Sequence, residues 1–284
     1  MTVLITGANS GFGLLCAERF ARAGHPVAAG YRSRARAEKL FTLVESGLPI
    51  TPVELDVTNP QQIATAAEAI QDVTALVNNA GFGFRGPIEH ISDATYQTQF
   101  DTNVLGIIRM VRAFAPQMRA RQSGAIVNVS SLVGIITMPF SGLYAASKHA
   151  VEAISEAMYM EMRGFGIRVT LIEPGIFPTE FGANALMEPS FDAASPYMPL
   201  AARFTRGLAP WFAAAASQSP SLVADAIFRA VTDPATPFRQ LCGPDAQRLG
   251  PAYRAAPDFE SFAASLLDEA GLQGVLDLPT PDKK

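Results

Sequence analysis

The sequence predicts a doubly wound α/β fold, a parallel sheet of about seven strands with helices on both faces. Three observations predict it. Short apolar runs alternate with amphipathic helical patterns along most of the chain. The first run, Val3-Leu4-Ile5, passes directly into a glycine-rich turn, Thr6-Gly7-Ala8-Asn9-Ser10-Gly11-Phe12-Gly13. A chain of 284 residues, 49% hydrophobic and 17% charged, is also long and apolar enough to bury one substantial core. No repeat, low-complexity tract or linker interrupts it, so residues 1–284 read as a single domain.

Taken in order, strands are predicted at 2–6, 26–31, 50–55, 74–79, 124–130, 168–173 and 238–242, where apolar and β-branched residues cluster. Helical spacing predicts helices at 12–23, 34–46, 60–71, 93–121, 143–164 and 219–232. Gly24 supplies the stop for the first of them. Ligands collect at the carboxyl ends of strands in such a sheet. Only the tail, 278–284, reads as frayed.

Composition removes several function classes. A net charge of −4 and a pI near 5.5 leave no basic stripe for nucleic acid. With no run of 18 apolar residues and a strand directly after Met1-Thr2, neither a membrane span nor a signal peptide is expected. A cytoplasmic protein is the expectation. Cys16 and Cys242 have no metal or disulfide spacing and read as small core residues. His25, His90 and His149 are scattered, so no metal site is expected.

Strand, glycine turn and helix together suit a dinucleotide. Gly7 permits the tight turn, Gly11 removes the Cβ that would block a pyrophosphate, and Gly13 lets the helix approach the sheet. The N–H groups of the helix N-terminus then face the phosphates. Further along, Tyr144 and Lys148 lie four residues apart in a helical stretch, which puts both on one face. A neighbouring ammonium lowers a phenol's pKa from about 10, making the pair a candidate proton-transfer device, although such a pair by itself is more often a solvated helix face.

With Asn78-Asn79-Ala80-Gly81, Ser130-Ser131 and Pro174-Gly175-Ile176-Phe177-Pro178-Thr179, these residues resemble the short-chain dehydrogenases/reductases. That Rossmann-type family is marked by TGxxxGxG, NNAG, a Ser, YxxxK and PGxxxT, and all five stand here in the family's order. The resemblance runs from residue 2 to 182 and more loosely through Gly243-Pro244-Asp245-Ala246. Around Asn79–Gly83 and Glu173–Phe177 it points to the hydroxysteroid and retinol dehydrogenase-like branch.

The resemblance implies an oxidoreductase with Asn103, Ser131, Tyr144 and Lys148 as its catalytic set. Ser131, 13 residues before Tyr144, would bind the substrate oxygen, with Ser130 as its rival. Tyr144 would transfer the proton, Lys148 would tune it and hold the ribose, and Asn103 would hold a water leading to Lys148. The implied cofactor contacts are Gly7, Asn9, Ser10, Gly11, Phe12 and Gly13 at the pyrophosphate, and Asp56 and Val57 at the adenine. Asn79, Ala80 and Gly81 follow the fourth strand. Pro174, Gly175, Ile176 and Thr179 would fix the carboxamide, although Pro178 departs from the usual pattern. Arg32 stands where NADP-preferring relatives carry Arg, and no carboxylate takes the NAD position, so NADP is favoured with NAD as the lesser option.

Residues 177–215 read as a variable substrate lid. Seven aromatics in positions 177–212, Phe177, Phe181, Phe191, Tyr197, Phe204, Trp211 and Phe212, suggest a bulky apolar carbonyl or alcohol substrate. Packing of the lid's own helices is the competing explanation. Relatives pair the helices near 93–121 and 143–164 across a twofold axis, implying a homodimer or homotetramer. Two other activities share the scaffold: an epimerase or dehydratase, which usually carries TGxxGxxG, and a non-catalytic NADP sensor, which would lose Ser, Tyr or Lys.

Overall fold

The structure, a computed structural model, describes residues 1–183 and 185–274. Nine strands are present among them: β1 (Thr2–Ile5), β2 (Val27–Tyr31), β3 (Ile50–Glu54), β4 (Val73–Asn78), β5 (Phe84–Arg85), β6 (Gly124–Val129), β7 (Ile167–Pro174), β8 (Leu186–Met187) and β9 (Arg239–Cys242). Seven form a parallel sheet in the order β3-β2-β1-β4-β6-β7-β9, while β5 and β8 pair separately. The order reverses between β1 and β4, and the crevice at that switch point is where an open α/β sheet binds its ligand.

The helices are α1 (Gly11–Arg22), α2 (Glu38–Glu45), α3 (Pro60–Ala69), α4 (Asp93–Phe100), α5 (Gly106–Arg121), α6 (Gly142–Met162), α7 (Glu180–Ala183), α8 (Met198–Ala216), α9 (Ser221–Thr232), α10 (Pro244–Ala255) and α11 (Phe259–Glu269). The two-residue period of the strands divides the core. Val3, Ile5, Ala75, Val77 and Val127 pack with α1, α2 and α9, while Leu4, Leu76, Ile126 and Leu171 pack with α3, α5 and α6. Burial on both faces explains why these strands are uninterrupted apolar runs. Phe20 and Phe114 anchor opposite layers, each fully buried. Truncating either to Ala would cost about 3–5 kcal/mol.

Three differences from the sequence reading have physical causes. The predicted helix 93–121 is interrupted by a π turn over Asp101–Leu105, a widened turn that rotates Asn103 into the interior. The predicted helix 34–46 begins as a 3₁₀ turn, Arg34–Arg36, before α2. Helices α8, α10 and α11 were not anticipated. Pro210 sits inside α8 and Pro251 inside α10, so breaker residues obscure their periodicity. These helices build two further apolar clusters, one joining Phe204 and Leu208 of α8 to Leu267 and Ala270 and one joining Leu132 and Ile136 to Leu249 and Phe262. The predicted tail, 278–284, lies outside the described residues. Among the described residues no helix is long and apolar enough to cross a membrane.

Candidate active site

The glycine turn is tied to the turn after β4 by side chains as well as strands. Thr6 Oγ1 accepts from the N–H groups of Asn79 and Ala80, both at 3.0 Å. The Asn79 amide donates back to the carbonyls of Thr6 at 3.0 Å and Gly7 at 3.1 Å. Gly7 and Gly11 have φ of +65° and +52°, in the region that disfavours a Cβ. A Cβ on Gly13 would sit 2.3 Å from the Gly7 carbonyl oxygen and 2.5 Å from Asn79 Nδ2, so the helix approaches the turn as closely as the backbone allows.

Around Gly11 the space is open, with Thr179 across the crevice. No side chain caps the N-terminus of α1, which leaves first-turn N–H groups, including that of Phe12, available to an anion. Asn9 donates its amide to the Arg36 carbonyl at 3.3 Å, fastening the turn to the loop after β2. Ser10 is the N-cap residue. Arg32 is exposed and has no ion pair among the described residues, whereas Arg34 stacks on Phe41 at 3.4 Å. Asp56 accepts from Thr58 N and Oγ1 at 2.9 and 2.7 Å through one carboxylate oxygen, serving the turn after β3. Beside it, buried Val57 packs against Gly106 at the start of α5. The open space at Gly11 and the uncapped N-terminus of α1, at the end of β1, fit the phosphates of a dinucleotide.

The predicted catalytic residues also converge. Ser131 follows β6, and its side chain acts on the Tyr144 phenol, favouring the ionised form. It also approaches the Pro174 carbonyl at 3.4 Å and caps Val133 N–H at 3.3 Å. Ser130 points elsewhere: its hydroxyl is buried, without a hydrogen-bond partner, next to Gly134. The Tyr144 ring lies between the Gly83 backbone and the Phe181 ring, whose centroid is 5.5 Å away. Lys148 is buried, and its Nζ donates to the Val129 carbonyl at 2.8 Å.

Electrostatics separate the pair in a way spacing alone does not reveal. Burial pushes the Tyr144 phenol well above its ordinary value, and the Ser131 side chain only partly opposes this. Burial brings Lys148 down to about 8, with the nearby Glu152 carboxylate pulling the other way. The Lys148 ammonium is 5.8 Å from the Tyr144 ring centre and is directed at a carbonyl. Desolvation is therefore the larger influence on the Tyr144 phenol and favours its protonated form.

Asn103 is fully buried and committed. Its Oδ1 accepts from Phe82 N–H at 3.1 Å, and its Nδ2 donates to the Phe82 carbonyl at 2.9 Å and to Ser147 Oγ at 3.1 Å. Gly81 brings the chain past it and Lys148 together: a Cβ there would lie 3.2 Å from Asn103 Oδ1 and 3.8 Å from Lys148 Nζ. The π turn thus supports the stretch Gly81–Gly83 against which Tyr144 rests.

In the Pro174–Thr179 turn, Gly175 N–H goes to the Cys242 carbonyl at 2.9 Å and Thr179 N–H to the Phe177 carbonyl at 2.9 Å. Ile176 N–H goes to Asp245 Oδ2 at 2.7 Å. Pro178 has no N–H, so Phe177 offers the one backbone donor left without a described partner. Asp245, whose role sequence reasoning missed, pins this turn; its motif, Gly243-Pro244-Asp245, was the available signal. Missed too was the ion pair of Lys39 with Glu180 at 2.5 Å, which spans the crevice from α2 to α7.

Of the seven lid aromatics, Phe177, Phe191 and Phe204 are buried in packing, and Trp211 lies with Met138 and under Arg248. Phe181 is the one in contact with Tyr144. Phe140 has a φ of +62°, unusual for an aromatic residue, and its ring packs with Phe191 and Phe204, joining the catalytic loop to the lid.

A doubly wound dinucleotide crevice meeting a Ser-Tyr-Lys cluster defines a nicotinamide-dependent oxidoreductase. Residues 1–189 match the family model described as short chain dehydrogenase. The chain belongs to the short-chain dehydrogenase/reductase family. It is 39% identical to uncharacterized oxidoreductase YbbO of Escherichia coli K12 over 72% of this chain and 76% of that one. Bovine retinol dehydrogenase 8 is 39% identical over 66% of this chain and 63% of its own length. A short-chain dehydrogenase from Streptomyces avermitilis superimposes with a TM-score of 0.79 at 31% identity, covering 94% of each chain. Two Burkholderia relatives were solved with cofactor. That from B. cenocepacia, with NADP, has a TM-score of 0.72 at 26% identity and covers 94% of this chain and 97% of its own. That from B. phymatum, with NAD, has a TM-score of 0.74 at 30% identity and covers 89% and 91%.

Proposed function

We propose that this protein is an NADP-preferring oxidoreductase that interconverts an apolar ketone or aldehyde and its alcohol. The observation that carries the chemistry is the placing of Tyr144 beside Ser131 and one helical turn before buried Lys148, whose Nζ is held by the Val129 carbonyl at the end of β6. NADP bound there, in its reduced form, supplies the hydride. Ser131 and Tyr144 bind the carbonyl oxygen, and Tyr144, kept protonated by burial, donates its proton as charge develops there. Lys148 supplies a positive charge and a donor on the ribose side. The Ser131 hydroxyl, rather than that of Ser130, does this binding because only it faces Tyr144.

Support for NADP is the exposed Arg32, free to pair with a 2′-phosphate where an NAD enzyme would carry a carboxylate. NAD remains the secondary cofactor. Support for an apolar substrate is Phe181 against Tyr144, together with the likeness to retinol dehydrogenase 8. The remaining residues of the cofactor set, Gly7, Asn9, Ser10, Gly11, Phe12, Gly13, Asp56, Val57, Asn79, Ala80, Gly81, Pro174, Gly175, Ile176 and Thr179, shape the crevice in this reading. A homodimer or homotetramer in the cytoplasm completes it, favoured by exposed Leu105 on the π turn and Met160 on α6.

The test is a turnover screen of ketones and aldehydes with NADPH and NADH in parallel, on wild type and Arg32→Ala. Wild type should prefer NADPH, and the variant should lose about 1.5–3 kcal/mol in the NADPH reaction while NADH use changes little. Preference for NADH, or equal losses, removes the cofactor assignment; no turnover of any apolar carbonyl removes the substrate class.

A further inference from the structure

Behind Lys148 lies a cluster of buried charge that the chemistry above does not use. Tyr144, Lys148, Glu152 and Glu156 recur every fourth residue along α6, so each stands on the turn next to the last. Glu152 is buried on this helix, and Glu173 is fully buried on β7, immediately before Pro174 of the cofactor turn. Both carboxylates meet the Arg239 guanidinium from β9: Glu173 Oε1 accepts from Nη1 at 2.6 Å, and Glu152 Oε2 accepts from the same nitrogen. The outer nitrogen, Nη2, goes to exposed Glu156 at 2.5 Å.

One guanidinium serves three carboxylates, and this leaves a deficit. Glu152 Oε1 and Glu173 Oε2 are buried without a hydrogen-bond partner. Desolvated carboxylate oxygens are costly when unpaired, and a neutral or apolar pair would serve packing better than surplus negative charge. The other charged groups acting here are few. Lys148 stands one turn before Glu152 on α6, and the Glu152 charge favours its ammonium form. Cys242 lies near Glu173 on β9, and Arg229 of α9 acts on Cys242. The adjoining Ser130–Gly134 segment brings no charge; a Cβ on Gly134 would sit 2.6 Å from unpartnered Ser130 Oγ and 3.0 Å from Glu152 Oε1.

We propose that Glu152 and Glu173 form a carboxylate pair that sets the charge of Lys148, with Arg239 as the clamp holding the pair in register. They are positioning residues for the Tyr144–Lys148 site. The inference rests on the reading of Lys148 as part of that site. Its electrostatic consequence follows from the signs. Burial, and then the Glu152 charge, push Glu173 up to about 7, against the pull of Arg239. Below that pH the pair carries one proton, and its remaining charge is balanced by Arg239. As pH rises past it, Glu173 ionises and negative charge accumulates behind Lys148 just before the lysine, at about 8, would lose its own proton. The pair thereby keeps the ammonium charged to higher pH.

The chain has four lysines, Lys39, Lys148, Lys283 and Lys284, so NMR of the ¹³C-lysine-labelled full chain can follow Lys148 alone. Its signal is assigned as the one missing in Lys148→Met. Wild type, Glu152→Gln and Glu173→Gln are titrated, with thermal melting to verify that each folds. The midpoint of Lys148 should fall by about one pH unit, a tenfold change in its proton affinity, in Glu152→Gln, and by less in Glu173→Gln. The alkaline limb of kcat/KM should move to lower pH in the same order, and Glu152→Asp should restore most of both shifts. An unmoved Lys148 midpoint in both folded Gln variants overturns the proposal, whatever the activity does. A moved midpoint in a chain that turns over no carbonyl would instead sustain the charge-setting role and reject the substrate reading.

Discussion

The cofactor side of the crevice and its substrate side are built by different means. On the cofactor side, position is dictated by backbone: glycines at positive φ, a Gly13 with no room for a Cβ, and the Thr6–Asn79 bonds that lock two turns together. On the substrate side, from the catalytic loop through α8, position depends on side-chain packing among residues distant in sequence, such as Phe140 with Phe191 and Phe204. Backbone constraints tolerate almost no substitution. Packed aromatic surfaces tolerate change of shape, which is what a variable substrate requires.

The sharpest test of that contrast lies where the two sides meet. Tyr144→Phe keeps the ring between Gly83 and Phe181 but removes the hydroxyl, so turnover should fall by about 10²–10⁴-fold or more while NADPH affinity stays near wild type. Retention of most activity, measured by steady-state kinetics, would place the proton donor elsewhere.

Next in size is a matched pair of glycine substitutions. Gly13→Ala should destabilise the protein by about 1–3 kcal/mol and weaken NADPH binding, because its Cβ would overlap the Gly7 carbonyl. Gly182→Ala, on the lid turn α7 with nothing within 4 Å, should leave both within about 0.5 kcal/mol. Denaturant melts and cofactor titrations compare them; equal effects would erase the distinction between the two sides.

The smallest effect is expected for Phe181→Ala. Losing this ring should raise KM for bulky apolar substrates by about tenfold or less, and for small ones hardly at all, with kcat for small substrates kept. A uniform loss across substrate sizes would mean that Phe181 serves only to hold Tyr144.

How much was legible beforehand follows the same division. Gly7, Gly11, Gly13, Tyr144 and Lys148 could be read because each chemistry demands a particular residue type at a short spacing. Ser131 could not be separated from Ser130 by spacing; the end of β6 turns one hydroxyl to Tyr144 and buries the other near Gly134. The lid aromatics were legible as a composition but not as a surface, since Phe204 and Trp211 pack toward α10 and α11, Phe177 joins the main core and Phe191 stacks on Phe140. Glu173 lies 66 residues from Arg239 and Asp245 lies 69 residues from Ile176, and although the Gly243-Pro244-Asp245 motif marks Asp245, no local pattern shows which segment it braces.

By itself the sequence determined the parallel sheet, the glycine turn after β1 and the placing of Tyr144 and Lys148 on one helix face, because strand period, glycine conformation and helical spacing are local properties of the chain. Tertiary structure alone decided the state of that pair. Desolvation of half-buried Tyr144 and buried Lys148 moves their proton affinities in opposite directions, and it arises only when Gly83 and Phe181 close on the tyrosine and the end of β6 on the lysine. Desolvation is a property of the whole surroundings of a group, so no window of sequence contains it.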